Sequence, residues 1–88
     1  MANHKSAFKR MRQNEKRRTR NRLHRGQMRT QVKNFRAAVD AGDKDAAATH
    51  LADAIAQIDS TRTKGVIHRS TAARKVSRLQ LAFNRAFN

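Results

Sequence analysis

The sequence lacks several residue types on which particular structures and chemistries depend. It contains no cysteine, which excludes disulfide bonds and thiolate metal sites. It has no proline and only three glycines, at positions 26, 42 and 65. Little of the turn chemistry of β-hairpins is therefore present, whereas the abundant Ala, Arg, Lys, Gln and Leu favour helices. These absences predict an all-α protein.

The chain also lacks long hydrophobic runs. No apolar segment approaches the roughly 20 residues needed to cross a bilayer, and no apolar region follows the N-terminus as it would in a secretory signal. A mitochondrial transit peptide would share the basic, acid-poor start, but it would be amphipathic. Residues 9–25 have no apolar face, since Met11 and Leu23 lie on different sides of a helix. We expect neither a membrane segment nor a cleaved leader.

Positive charge is the most abundant feature of the chain. Its 88 residues include 21 Lys and Arg but only 6 Asp and Glu, for a formal net charge of +15 and a pI of about 12.0. This length predicts one domain with a small core. Self-repulsion on this scale opposes compaction, so the composition predicts a polyanionic partner, with nucleic acid favoured over an anionic membrane surface.

The charges divide the chain into three regions. Residues 1–36 hold 13 Lys and Arg and one acid, residues 40–59 hold five Asp and one Lys, and residues 60–88 hold seven Lys and Arg and no acid. Gly42 and Gly65 fall at the two boundaries. We therefore predict three helices with breaks at these glycines.

Apolar residues recur at helical spacing in each region. The first helix is predicted from about Ser6 to Ala41, the second after an Asp43 N-cap, and the third from Arg69 to Phe87, with either His68 or Ser70 as its cap. The predicted apolar stripes are Met28, Val32, Phe35 and Val39 in the first helix, Ala48, Leu51, Ile55 and Ile58 in the second, and Ala72, Val76, Leu79, Phe83 and Ala86 in the third.

Unequal helix lengths predict the shape of the molecule. Three amphipathic helices with short connections form an up-down-up bundle. The second helix, running back from Asp43, reaches only the neighbourhood of Leu23. We therefore expect a long, basic, protruding first helix: residues 1–20 form an arm of about 25 Å at about 1.5 Å per residue, and residues 21–88 form the bundle. The loop at Gly65 should lie near the root of the arm.

The cations of the arm surround its helix instead of lining one side. Lys9 and Arg20 point one way, and Arg18 and Arg22 point roughly the opposite way. A membrane-surface helix would segregate its charge, and a helix along one DNA groove needs one cationic side. Charge on every side suits insertion between several RNA backbones. Arg outnumbers Lys eight to two between Lys9 and Arg29, which favours bidentate phosphate contacts.

Catalytic and metal-binding patterns are missing from the sequence. Five of the six carboxylates lie in residues 40–59 without a neighbouring nucleophile, and no glycine-rich phosphate loop occurs. The four histidines, at positions 4, 24, 50 and 68, lack the spacing of metal ligands. We expect no enzyme activity, no cofactor, no metal and no small-molecule substrate.

Three stretches of the sequence resemble a known family. They are "MANHKSAFKRMRQNEKRRTRN", "AGDKDAA" and "KGVIHRSTAARKVSRL", and they resemble the bacterial small-subunit ribosomal protein S-twenty family in order and spacing. The resemblance implies a three-helix bundle with an extended first helix. It also implies direct binding to small-subunit ribosomal RNA early in assembly, near the foot of the subunit body, with few contacts to other small-subunit proteins.

The family pattern can be followed residue by residue. Its matches are Asn3, Lys5, Ser6, Ala7, Lys9, Arg10, Arg12, Lys64, Gly65, Ile67, His68, Ala73, Arg74, Lys75, Ser77, Arg78 and Leu79. Two positions depart from it: Ser70 stands where the family usually has Asn, and Val76 where it usually has Lys. From the pattern and the charges together, the expected RNA-binding residues are Asn3, Lys5, Ser6, Lys9, Arg10, Arg12, Lys16, Arg17, Arg18, Arg20, Arg22, Arg25, Arg29, Lys64, His68, Arg69, Arg74, Lys75 and Arg78.

The resulting hypothesis is a structural RNA-binding protein of the small ribosomal subunit, located in the cytoplasm. A nucleoid-type protein that compacts DNA is the alternative from a different class. A membrane-active cationic peptide is disfavoured, because the basic segment has no continuous amphipathic face.

Overall fold

A computed structural model describes the backbone of residues 2–87 and the side chains of residues 6–87. The described chain forms three helices: α1 spans Ala2–Asp40, α2 spans Lys44–Thr63 and α3 spans Arg69–Phe87. The described backbone contains no strand. The prediction of an all-α, three-helix fold with a long first helix is confirmed.

The turn between α1 and α2 has the chemistry expected from its sequence. Gly42 has a φ of 73°, in the left-handed region. Its N–H donates to the Val39 carbonyl (3.0 Å), and the N–H of Asp43 donates to the Ala38 carbonyl (3.1 Å). This is the Schellman termination. Asp43 then caps α2, because its carboxylate accepts a hydrogen bond from the Ala46 N–H (3.1 Å).

Helix α1 begins earlier than predicted. The helix starts at Ala2 and not near Ser6, because residues 2–5 contain no Gly or Pro to interrupt it. The predicted apolar stripe is confirmed in its second half, where Met28 and Phe35 are buried and Val32 and Val39 are half-buried against them. At about 1.5 Å per residue α1 is about 58 Å long, and it accounts for most of the 66 Å length of the molecule.

The buried face of α2 differs from the predicted stripe. Ala48 is exposed, whereas Ala47 and Ala54 are fully buried with Ile58. The buried face is rotated by roughly 70° from the predicted direction. Thr61 is also fully buried, and its hydroxyl donates to the Gln57 carbonyl (2.7 Å), so the helix itself satisfies this polar group. The rotation arises because α2 packs against both of the other helices.

Helix α3 follows its predicted stripe except at the C-terminal end. Ala72 and Leu79 are buried, and Val76 is packed against the core. Ala86 was predicted to be part of the stripe but is exposed. Its place is taken by Phe87, whose ring centroid lies 5.2 Å from that of Phe83.

Helix α2 is the central element of the bundle. It packs along α1 and α3, which meet each other only briefly. The molecule is accordingly flat as well as long, with extents of 66 × 22 × 14 Å. Grooves therefore remain between neighbouring helices. Ile55, predicted as part of the α2 stripe, lines the groove between α2 and α3.

Two leucines of α3 provide a matched test of this core. Leu79 is 4% exposed and Leu81 is 50% exposed. Leu79→Ala should lower the free energy of unfolding by about 2–5 kcal/mol, because it removes buried methyl groups and leaves a cavity. Leu81→Ala should change it by less than about 0.5 kcal/mol. Thermal and urea unfolding of both variants measure the difference, and equal effects would contradict the assigned core.

Candidate nucleic-acid interface

The N-terminal part of α1 projects from the bundle, and only its base, around Arg17 and Arg20, lies beside the turn after α2. Every side chain from residue 6 to residue 20 is exposed, and the first buried core residue of α1 is Met28. Phe8 and Met11 are 60% and 58% exposed, so the arm has no apolar side packed on protein. The arm therefore offers its whole circumference to a partner.

The cations of the arm are not neutralised within the protein. Among the side chains of residues 6–87, the ion pair joins Arg62 to Asp59 (3.0 Å), far from the arm in sequence. Cations three or four residues apart on a helix, such as Lys16 and Arg20, repel by about 0.2–0.5 kcal/mol per pair. The arm thus carries an electrostatic cost that a polyanion would remove.

A polar cleft of about 420 Å³ lies where the turn after α2 meets the root of the arm. It brings together cations that are more than forty residues apart in sequence, as the position of the Gly65 loop predicted. The residues around it are Arg17, Arg20, Asn21, His24, Lys64, Gly65 and Val66. Three positive side chains and a backbone turn around one cleft form a suitable site for a phosphate group.

His24 and Asn21 are the half-buried members of this cleft. The Nδ1 of His24 is buried and has no hydrogen-bond partner among the described residues. Buried polar atoms are usually paired, and Nδ1 of His50, outside the cleft, is buried and unpaired in the same way. His24 also lies within about 40° of Met28 and Phe35 around α1. The side of α1 that packs on the bundle at Met28 and Phe35 therefore carries polar residues toward the N-terminus, where it lines the cleft.

The second turn positions the cleft's loop residues. Gly65 has a φ of 76°, and its N–H donates to the Arg62 carbonyl (2.9 Å), while the N–H of Val66 donates to the Thr61 carbonyl (3.1 Å). This is a second Schellman termination, as predicted. Lys64 lies immediately before Gly65, so its location beside α1 depends on this turn.

His68 caps α3, which decides between the two candidates. The Ser70 N–H donates to His68 Nδ1 (3.1 Å), and the Ala72 N–H donates to the His68 carbonyl (3.0 Å). Ser70 Oγ lies 2.8 Å from the same ring nitrogen. The ring remains exposed, so the capping role does not compete with an external contact.

The cations of α3 lie on the bundle and not at the arm. Arg69, Arg74 and Arg78 are exposed. Lys75 is half-buried and shares a groove with Arg29 of α1. The structure thus brings Arg17, Arg20 and Lys64 together at one place and Arg29 and Lys75 at another. The remaining predicted cations of α1, all exposed, are distributed around the helix, namely Lys9, Arg10, Arg12, Lys16, Arg18, Arg22 and Arg25.

Three of the predicted RNA-binding residues lie at the start of α1. The side chains of Asn3 and Lys5 lie outside the described residues, whereas Ser6 is described and exposed. Conversely, Asn21 and His24 line the cleft but were not predicted as contacts. Helical phase identifies them, because both lie on the same side of α1 as the buried Met28 and Phe35.

No three His, Cys, Asp or Glu side chains within residues 6–87 come close enough to hold a metal ion. None of the described helices is both long enough and apolar enough to span a membrane.

Comparison with known families gives a match over almost the whole chain. The sequence profile described as ribosomal protein S20 matches residues 2–84. The chain belongs to the ribosomal protein S20 family. The matched range includes the arm, both glycine turns and most of α3, so all parts of the candidate interface lie within it.

Individual members of the S20 family are similar along their entire lengths. The small ribosomal subunit protein bS20 of Trichlorobacter lovleyi is 52% identical over 84 residues, which cover 96% of this chain and 97% of that protein. The proteins of the same name from Nitratidesulfovibrio vulgaris and Mycolicibacterium smegmatis are 50% and 49% identical over 84 and 85 residues. These alignments cover 96% and 97% of this chain, and 97% and 99% of those proteins.

The two departures from the S20 pattern have different structural settings. Val76 packs against the hydrophobic core, so it enlarges the apolar stripe of α3 as expected. Ser70 lies in the first turn of α3, where its hydroxyl contacts the capping ring of His68. Its short side chain therefore serves the cap.

The glycines provide a test of the turn that forms the cleft. A Cβ atom at Gly65 or at Gly26 would meet nothing within 4 Å, but only Gly65 has a positive φ. Gly65→Ala should lower the free energy of unfolding by about 1–2 kcal/mol because L-residues are strained there. Gly26→Ala, in the middle of α1, should raise it by about 0.5–1 kcal/mol. Urea unfolding measures both changes, and a stabilised Gly65→Ala protein would contradict the left-handed turn.

Proposed function

We propose that this chain is a structural protein of the small ribosomal subunit, in the cytoplasmic ribosome, that binds small-subunit ribosomal RNA directly. The observation that carries the proposal is the arm of α1, whose cations are exposed on all sides and unpaired within residues 6–87. Membership of the S20 family supports the same function. The protein would stabilise folded RNA without chemical catalysis.

Neutralisation of several phosphate backbones at once is the proposed mechanism. The chain is a single RNA-binding domain in which residues 1–20 form the arm and residues 21–88 form the bundle that holds it. An arm charged on every side reduces repulsion between RNA strands that approach it from different directions. Arginine suits this role because its planar guanidinium binds phosphate through two parallel hydrogen bonds.

We propose that the cleft at the root of the arm fixes the position of the protein along the RNA. There Arg17, Arg20 and Lys64 surround a space next to the unpaired Nδ1 of His24. An RNA phosphate can accept hydrogen bonds from the three cations. The bundle's turn thereby sets where along the RNA the arm enters. Contacts with other small-subunit proteins would be few.

Compaction of duplex DNA is the rival function. The distribution of cations around the arm distinguishes it from rRNA binding. A duplex groove contacts one side of a helix, which would leave the opposite cations of the arm unpaired. The proposal predicts tighter binding to naked, folded small-subunit rRNA than to duplex DNA of equal length at the same salt concentration. Equal or tighter binding to the duplex would favour the rival.

Removal of residues 1–20 tests the role of the arm. The helical circular-dichroism signal of residues 28–87 should persist, because the buried core begins at Met28. Specific affinity for small-subunit rRNA should be lost, and the log–log salt slope should decrease by roughly 0.7–0.9 for each phosphate contact removed. Unchanged affinity and slope in the folded, truncated protein would refute the arm's role.

Hydrogen exchange tests whether RNA orders the arm. In the free protein, the amides of residues 6–20 should exchange faster than those of α2, because like-charge repulsion weakens the arm and no packing holds it closed. Binding to rRNA should slow the arm's exchange far more than that of α2. If the arm's amides were as protected as those of α2 without RNA, the claim that RNA orders the arm would be wrong.

A further inference from the structure

One side of α1 carries an unbroken line of cations. At about 100° per residue, positions 18, 22, 25, 29, 33 and 36 fall within about 40° of a common direction. Between residues 16 and 39, no other residue of α1 lies in this sector. The members of this α1 line are Arg18, Arg22, Arg25, Arg29, Lys33 and Arg36.

An acidic residue ends the α1 line on each side. Glu15 and Asp40 fall in the same sector, just before Arg18 and a little beyond Arg36. The line therefore has a defined length of about 27 Å between Arg18 and Arg36, at about 1.5 Å per residue. It begins on the arm and ends on the bundle, so it crosses the boundary between them.

Within residues 6–87, no ion pair neutralises a member of the α1 line, and the only acids in its sector lie one turn beyond its two ends. All six side chains are exposed, and none forms an ion pair with another described residue. Successive members are three or four residues apart, which is the spacing at which like charges repel. A line of this kind is suited to successive anionic groups of an external partner.

The bundle end of the α1 line forms one wall of a groove. Arg29, Lys33 and Arg36 face Lys75 of α3 across it, and Met28 and Val32 also line it. The groove has a volume of about 280 Å³. Four cations beside two apolar side chains suit a nucleic-acid strand, whose phosphates bind the cations while a ribose lies on the apolar surface.

An RNA strand fits this surface better than an acidic protein segment does. Five of the six members of the line are arginines, which bind phosphate in a bidentate fork. The charge also extends without interruption from the groove to the arm. A protein partner that occupied the groove would leave the arm half of the line unpaired.

We infer that a strand of RNA runs along the α1 line from the arm into the groove between α1 and α3. Lys33 and Arg36 contact its phosphates there, together with Lys75. The inference rests on the proposed function and extends the expected contacts of Arg29 and Lys75 to two further cations in the same groove, Lys33 and Arg36. It assigns a role to two cations that neither the charge pattern of the arm nor the family pattern had indicated.

A full-length double variant, Lys33→Gln with Arg36→Gln, tests the inference. Its matched control is Lys44→Gln with Arg85→Gln, which removes the same charge from exposed positions outside the line. Binding to naked small-subunit rRNA is measured across a salt series. The first variant should bind more weakly than the control, and its log–log salt slope should fall by about 1 for each lost phosphate contact. The control should keep the wild-type slope.

A charge-retaining variant, Lys33→Arg with Arg36→Lys, should keep the wild-type slope, and circular dichroism should show all variants folded. If the neutralised variant kept the wild-type slope, the groove would not hold RNA, although rRNA binding by the arm would stand. Equal losses in the variant and its control would mean that only net charge matters, which would also overturn the inference. If the wild-type protein failed to bind the rRNA, the proposed function would fail together with this inference.

Discussion

Repulsion among cations without protein partners is the constraint on which the rest of this molecule depends. The chain contains 21 Lys and Arg but only 6 Asp and Glu. Five of these acids lie in residues 40–59, at a distance from the arm in sequence. The Cβ atoms of residues three or four apart on a helix are about 5–6 Å apart, so such cations on α1 lie within or near the Debye length of about 8 Å at physiological ionic strength. Salt therefore reduces the repulsion only in part. The pair between Arg62 and Asp59, with side chains 45% and 66% exposed, contributes little to stability.

The fold confines this repulsion to surfaces where a polyanion can remove it. Apolar packing is concentrated around α2, whose Ile58 and Thr61 are fully buried, and around Phe35 of α1. Because α1 is continuous from Ala2 to Asp40, the packed half of the helix directs the charged half. The glycine turns at Gly42 and Gly65 then return α2 and α3 to the same half. A small core thus holds one end of a long cationic rod.

Local signals in the sequence predicted most of this architecture. Helix composition, the two glycines at charge boundaries and the Asp43 cap predicted the three helices and both Schellman turns, because each depends on a few adjacent residues. Periodicity also predicted the faces of α1 and α3. For α2 it was right at Ile58, which is buried, and at Leu51, which packs against the core, but wrong at Ala48, and it missed the buried Ala47 and Ala54. Alanine contributes little to an apolar stripe, so the direction of an alanine-rich face depends on tertiary packing.

The candidate interface was predictable where charge alone defines it and not where helices meet. The cations of the arm follow from composition, but the cleft requires Lys64 to lie beside Arg17 across more than forty residues of sequence. The role of His24 depends on the burial of a single atom. Likewise, the two candidate caps of α3 differ only in hydrogen-bond geometry, which selects His68. The sequence placed the Gly65 loop near the root of the arm, and helical phase places His24 on the packed side of α1, but the cleft itself and the choice of cap depend on how separate elements pack.

Directed hydroxyl-radical probing would test the central claim that RNA surrounds the arm. The chain contains no cysteine, so a single cysteine introduced at Met11, Gln13 or Thr19 provides a unique attachment point for an iron chelate. These exposed positions face three different sides of α1, separated by about 80–160°. Probes at all three should cleave small-subunit rRNA in the complex, each with its own set of sites. Cleavage from one side only, with the other probes silent, would contradict the account.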